Sequence, residues 1–131
     1  MIDTPLIRKI ATGRLKDARA LLGARRYDGA AYLCGYAVEL GLKARICRTL
    51  KWRGFPSTSS EFKEYQTLKT HNLDVLLHLT GRERDIKTRF LVEWSVVSAW
   101  NPEVRYEPIG KTSRTDSEQM IAAAETLLRH L

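Results

Sequence analysis

Cysteine is scarce in this chain, at positions 34 and 47 only, and no group of Cys and His residues has the spacing of a zinc site. A structural zinc and a disulfide framework are therefore not expected. Cys34 and Cys47 fall in one helical pattern and face different sides of it, so they read as small core residues rather than partners. The eight glycines and four prolines are scattered. They form no glycine-rich phosphate loop and no GxSxG elbow, which removes P-loop hydrolysis and acyl transfer from consideration. With no metal cluster and no cofactor motif, neither a metal nor a cofactor is expected. No run approaches the ~18 apolar residues of a membrane span, and the start MIDTPLIRKI has no apolar leader stretch, so no membrane association and a cytoplasmic location are expected. Strand-like alternation and hairpin turn signals are absent too.

What is present is helical periodicity over a length suited to one domain, residues 1–131. Thr4 and Pro5 have the character of an N-cap and a first helical residue. Leu6, Ile7, Ile10, Ala11, Leu15, Ala18 and Leu22 then recur at helical steps up to Gly23, with Gly13 as a candidate break. Asp28 is placed to cap a second helix reaching about Leu50, and Trp52, Gly54 and Pro56 end it. Residues 54–70 carry no period and read as a long loop, a lid or a connector. Asn72 caps a short helix that stops at Gly81. A further helix begins near Arg84, with the stripe Ile86, Phe90, Trp94 and Val97, and halts at Asn101 and Pro102. Thr115 and Glu118 have capping-box spacing ahead of a last helix whose seam is Met120, Ile121, Ala124, Leu127, Leu128 and Leu131. Short connections fold consecutive helices back on one another, so the expectation is an all-α antiparallel bundle of about five helices with a four-helix up-and-down core.

The second helix is apolar or small on nearly every side, the pattern of a central helix. Ala30, Cys34, Ala37, Gly41 and Ala44 form a small-residue stripe that admits another helix closely, within the fold or across a dimer. Tyr32, Tyr36, Glu39 and Lys43 follow at steps of four, three and four, so they share one face. A buried Glu or Lys needs a partner, and this pair stands at the favourable i, i+4 order. Two readings stay open: an internal ion pair that fixes packing, or the floor of a polar binding cleft. His71 and the Arg105–Tyr106 pair come from segments flanking the bundle and are candidates for the same cleft. Arg supplies a planar fork for phosphate, His a proton near neutral pH, and Tyr a stacking face.

Charge is uneven along the chain. Residues 1–54 hold twelve Lys or Arg against four acids, a balance of +8, which leaves ten bases and eleven acids, −1, for the remainder. Such asymmetry points to an anionic partner, a nucleotide or RNA, or else to a solvated basic face. Arg45, Arg48, Lys51 and Arg53 crowd the end of the second helix around Trp52. They either complement the negative end of the helix dipole or track phosphates with one aromatic for stacking.

The block RYDGAAYLCGYAVELGLKA from Arg26 to Ala44, then KTHNLDVLL, then Trp100 and NPEVRYEP ahead of an Ala-rich final helix, resembles bacterial members of the HEPN family. That resemblance implies a five-helix antiparallel bundle, often a homodimer, that binds nucleotides or nucleic acid. It also implies work beside a nucleotidyltransferase, commonly as toxin and antitoxin. Ribonuclease members of the family resemble one another in an Arg followed four to six residues later by a His. Here none of His71, His78 and His130 is preceded by such an Arg. The expectation is a non-enzymatic nucleotide- or RNA-binding domain with ligand residues Tyr36, Glu39, Lys43, His71, Arg105 and Tyr106. The alternatives are an endoribonuclease toxin using His71 and Arg105, and a non-catalytic subunit of a nucleotidyltransferase.

Overall fold

In a computed structural model of residues 1–131, the first helix opens one residue before the expected cap. The Asp3 carboxylate accepts the Leu6 N–H at 2.8 Å, and Thr4 is already helical. Asp also places its charge at the positive end of the helix, which Thr cannot do. Helix α1 (Thr4–Gly23) runs unbroken through Gly13 and buries Ile7, Ala11, Leu15 and Ala18. A Cβ added at Gly13 would meet nothing within 4 Å. Gly13→Ala is therefore expected to raise stability by about 0.5–1 kcal/mol, the usual entropy gain in a helix interior, as read by urea or thermal unfolding.

Helix α2 (Tyr27–Leu50) is the axis of the molecule and packs against α1, the final helix and a short helix after the 54–70 segment. Its N-cap is Arg26, with no side-chain cap; Asp28, expected to cap it, is engaged elsewhere. The small residues work by close approach. Trp100 lies on Gly35, Leu128 lies on Gly41, and Ala30, Cys34, Ala37 and Ala44 are fully buried. Cys34 and Cys47 are free and buried, and burial pushes the Cys34 thiol up to about 12, so neither is a nucleophile near neutral pH.

The 54–70 segment is folded, contrary to the long-loop expectation. Ile2–Asp3 (β1) pairs antiparallel with Gly54–Phe55 (β2), and the Thr4 N–H donates to the Arg53 carbonyl at 2.9 Å. Helix α3 (Ser59–Phe62), with a Thr58–Glu61 capping box, and a 3-10 turn (Gln66–Leu68) follow. Phe55, Phe62 and Leu68 anchor these pieces in the core. Their spacing has no period because each belongs to a different short element.

Asn72 caps α4 (Leu73–Leu79) as expected, accepting from the Asp74 and Val75 N–H groups. The helix expected from Arg84 onward is two: α5 (Glu83–Arg89) and α6 (Leu91–Val97), broken at Phe90 (φ −130°, ψ 41°). The Phe90 ring packs 4.4 Å from that of His130, a tertiary contact no local pattern encodes. Residues Pro102–Tyr106 form a 3-10 turn. Helix α7 (Arg114–His130) starts from a capping box at Ser113 and Asp116, two residues before the expected Thr115–Glu118 pair. The result is an all-α bundle, and no helix is long and apolar enough to cross a membrane.

Candidate ligand cavity and ion cluster

The shared face of α2 divides into two places. Toward its C-terminal half, Glu39 is 2% exposed and accepts from the Lys43 ammonium at 3.2 Å through one oxygen. Its other oxygen takes a hydrogen bond from His71 Nδ1 at 2.8 Å. An ionised carboxylate only accepts, so that nitrogen carries the proton. Lys43 also sits 5.2 Å over the Phe55 ring, which β1 and β2 hold in place. Both oxygens of the carboxylate are thereby used, the arrangement a buried charge requires.

Toward the N-terminal half of α2, Tyr32, Tyr36 and Trp100 form an aromatic cluster. Tyr36 meets Tyr32 and Trp100 edge-on, each at 5.2 Å between ring centres. The adjoining Tyr32 hydroxyl, then partial burial, pushes the Tyr36 phenol above its usual value. Arg105 stands beside Tyr32 and lies 4.8 Å over the ring of the exposed Tyr106. The phenol oxygens of Tyr32 and Tyr106 hold its guanidinium pKa up, so it is permanently charged.

Tyr32, Trp100 and Arg105 line a cavity of about 570 Å³ between the start of α2, the end of α6, the Pro102–Tyr106 turn and the start of α7. Gln119 and Met120 of α7 and the segment Glu107–Ile109 complete it. Its volume falls within the ~300–1,000 Å³ of small-molecule sites, and its lining mixes apolar and polar groups as such sites do. The Trp100 indole N–H is buried without a partner and lies over Gly35 of α2.

Asp28 closes one side of this cavity. Its carboxylate accepts the Gly110 N–H at 2.7 Å and the Thr112 N–H at 2.9 Å, tying the loop after the turn back onto α2. Gly110 has φ 91°, a conformation few residues adopt. The bond from Gly110, then that from Thr112, depresses the Asp28 carboxyl. A depressed folded value means stability present above the unfolded value of 3.8 and lost as pH falls below it. Asp28→Ala is expected to cost about 1–2 kcal/mol at neutral pH and progressively less as pH falls below 3.8, measured by urea unfolding across that range.

Of the expected ligand residues, Lys43 and His71 each meet Glu39, and Arg105 meets Tyr32 and Tyr106. Of the six, only Arg105 lines this cavity; Tyr36, Glu39, Lys43, His71 and Tyr106 do not. Tyr36 is the joint between the two places, feeling the charges of both Glu39 and Arg105. Among the expected basic patch, Arg48 and Arg53 line a separate cleft, Arg53 and Lys51 line another beside Glu61 and Tyr65, and Arg45 has a buried Nε with no partner. Sequence reading missed Asp28, Trp100 and Gln119 as cavity residues. The aromatic before Asn101–Pro102 was the one visible signal, since loop closure by Asp28 spans more than 80 positions.

A family model for the HEPN domain matches residues 5–131. The chain belongs to the HEPN family. HEPN domains are RNA-binding and nuclease-like helical domains. No curated protein and no solved structure matches this HEPN chain. In this HEPN domain the three His side chains are engaged with Glu39, Glu83 and Phe90 respectively.

Proposed function

We propose that this HEPN domain binds a nucleotide or a segment of single-stranded RNA in the Arg105 cavity and catalyses no reaction there. The observation that carries the proposal is a permanently charged guanidinium in the wall of a half-apolar cavity that Tyr32 and Trp100 also line. A base fills the apolar part and is worth ~1–3 kcal/mol where it stacks on an aromatic side chain, while the guanidinium meets a phosphate. The basic first half of the chain adds long-range attraction for the same ligand. Ribonucleolytic transfer calls for a proton-transfer group beside a cation that stabilises the phosphate. His71, which does not line the cavity, supplies no such group to Arg105.

In this reading residues 1–131 act as one HEPN-like domain, as a homodimer, in a toxin–antitoxin or nucleotidyltransferase-associated system. Titration of fluorescently labelled single-stranded RNA and of nucleotides at 50 and ~200 mM salt tests the binding. Affinity that falls at least tenfold in Arg105→Ala, and that salt weakens, is expected. Absence of binding to either ligand at the lower salt overturns it. Co-purification with a nucleotidyltransferase tests the association, and a domain that runs alone from cells carrying both proteins removes that part.

A further inference from the structure

A second cleft stands at the opposite end of α2. Arg8 of α1, Arg48 of α2, Arg53 just beyond it and Arg129 of α7 line a space of about 500 Å³ with Thr4 and Trp52. It shares no lining residue with the Arg105 cavity. Tyr32 and Arg48, one from each, stand ~24 Å apart along the helix at 1.5 Å per residue.

No Asp or Glu side chain pairs with any of the four guanidinium groups, whereas Arg14, Arg19, Arg82, Arg89 and Arg114 each pair with one. Two of them meet an acceptor: Arg8 donates across the fold to an oxygen of Leu131 at 3.2 Å, and Arg129 donates to the Thr126 hydroxyl, three residues before it, at 3.4 Å. Behind them Arg45 has a buried, unpartnered Nε. Burial first, then the charges of Arg82, Arg48 and Arg8, lowers its pKa, so the positive charges at this end feel one another.

Helix ends account for part of this. Arg48 and Arg129 lie in the last turns of α2 and α7, where a cation complements the dipole. Arg53 lies beyond any helix, and Arg8 lies near the positive end of α1, so neither gains from a dipole. Yet the frame that gathers them is built: the Thr4 N–H and hydroxyl both donate to the Arg53 carbonyl, at 2.9 and 3.1 Å. Trp52, held edge-on by Tyr65 at 4.9 Å, adds an aromatic wall.

We propose that this cleft is a phosphate-binding site. Its forked donors suit either the backbone of single-stranded RNA or the terminal phosphates of a nucleotide. The site stands on its own observations and does not rest on the Arg105 cavity.

The test uses the full chain, labelled single-stranded RNA and inorganic pyrophosphate. Arg48→Ala combined with Arg53→Ala, both at exposed positions, is compared with Lys63→Ala combined with Lys69→Ala, an equal loss of exposed charge elsewhere. The arginine double is expected to weaken RNA binding at least tenfold and to lower the slope of log affinity against log salt by about 1.4, two single-strand phosphate contacts. The lysine double should stay within about twofold of the parent. Arg129→Gln, on the exposed side of α7, gives a second variant whose affinity falls in the same direction, with circular dichroism confirming that each variant is folded. Pyrophosphate that displaces RNA assigns the cleft to terminal phosphates. An arginine-dependent loss without displacement assigns it to a backbone. Equal losses in the two doubles, or none in the arginine double, overturn the site. Arg105→Ala measured alongside separates the two places, since either can fail while the other holds.

Discussion

Gly35→Ala is expected to destabilise the protein by about 3 kcal/mol, the upper end for overpacking a core, and to lower its melting temperature by about 10 °C. An added Cβ would overlap the Trp100 indole at three ring atoms, Cε2, Cδ2 and Nε1. The ring is 7% exposed and meets Tyr32 and Tyr36, so it can move off Gly35 only by breaking those ring contacts. Gly41→Ala is the natural comparison. Its Cβ would strike Leu128 Cδ2, the far end of a flexible and only half-buried side chain. The second substitution should cost about 1 kcal/mol or less. Thermal unfolding of both variants decides, and equal losses would mean that Trp100 yields as readily as Leu128.

Glu39→Leu is expected to cost about 3 kcal/mol, because it leaves the Lys43 ammonium, 17% exposed, over Phe55 without its counter-charge. The figure is at the low end for breaking a buried pair, since Lys43 keeps some water. Adding Lys43→Leu should recover most of the loss, because an apolar pair of similar volume avoids the desolvation penalty of both charges. His71, 58% exposed, then turns to solvent at little further cost. A double variant as unstable as Glu39→Leu alone, in urea unfolding, would show that the cluster does more than neutralise two charges.

The main helices could be read because their signals are local. The α7 seam and the Asn72 cap repeat or bond within a turn or two, and the all-round apolarity of α2 follows from its central place. Caps were displaced by a residue or two where two candidates stood close together, as with Asp3 beside Thr4 and Ser113 beside Thr115. The folded 54–70 segment stayed hidden because Phe55 is placed by pairing with Ile2, more than fifty positions away.

The same distinction applies to the site. Glu39 and Lys43 stood out as charges on an apolar helix, and their spacing brought them together. Arg105 joined Tyr32 rather than Lys43, because the Pro102–Tyr106 turn falls alongside the N-terminal half of α2. Nothing periodic foretold that register. The arginines of the second cleft come from three separate segments of the chain, and only Arg48 and Arg53 were adjacent enough to be noticed together.

The central claim is a ligand in the Tyr32–Trp100–Arg105 cavity, and the three indole N–H signals in an NMR titration with a nucleotide test it most directly. Trp100 lines the cavity and its N–H has no partner, Trp94 donates to Asp74 at 3.0 Å, and Trp52 belongs to the arginine cleft. The account predicts that the Trp100 signal moves saturably and that the Trp94 signal stays. A Trp100 signal that holds still while the nucleotide binds, with only Trp52 responding, would contradict it.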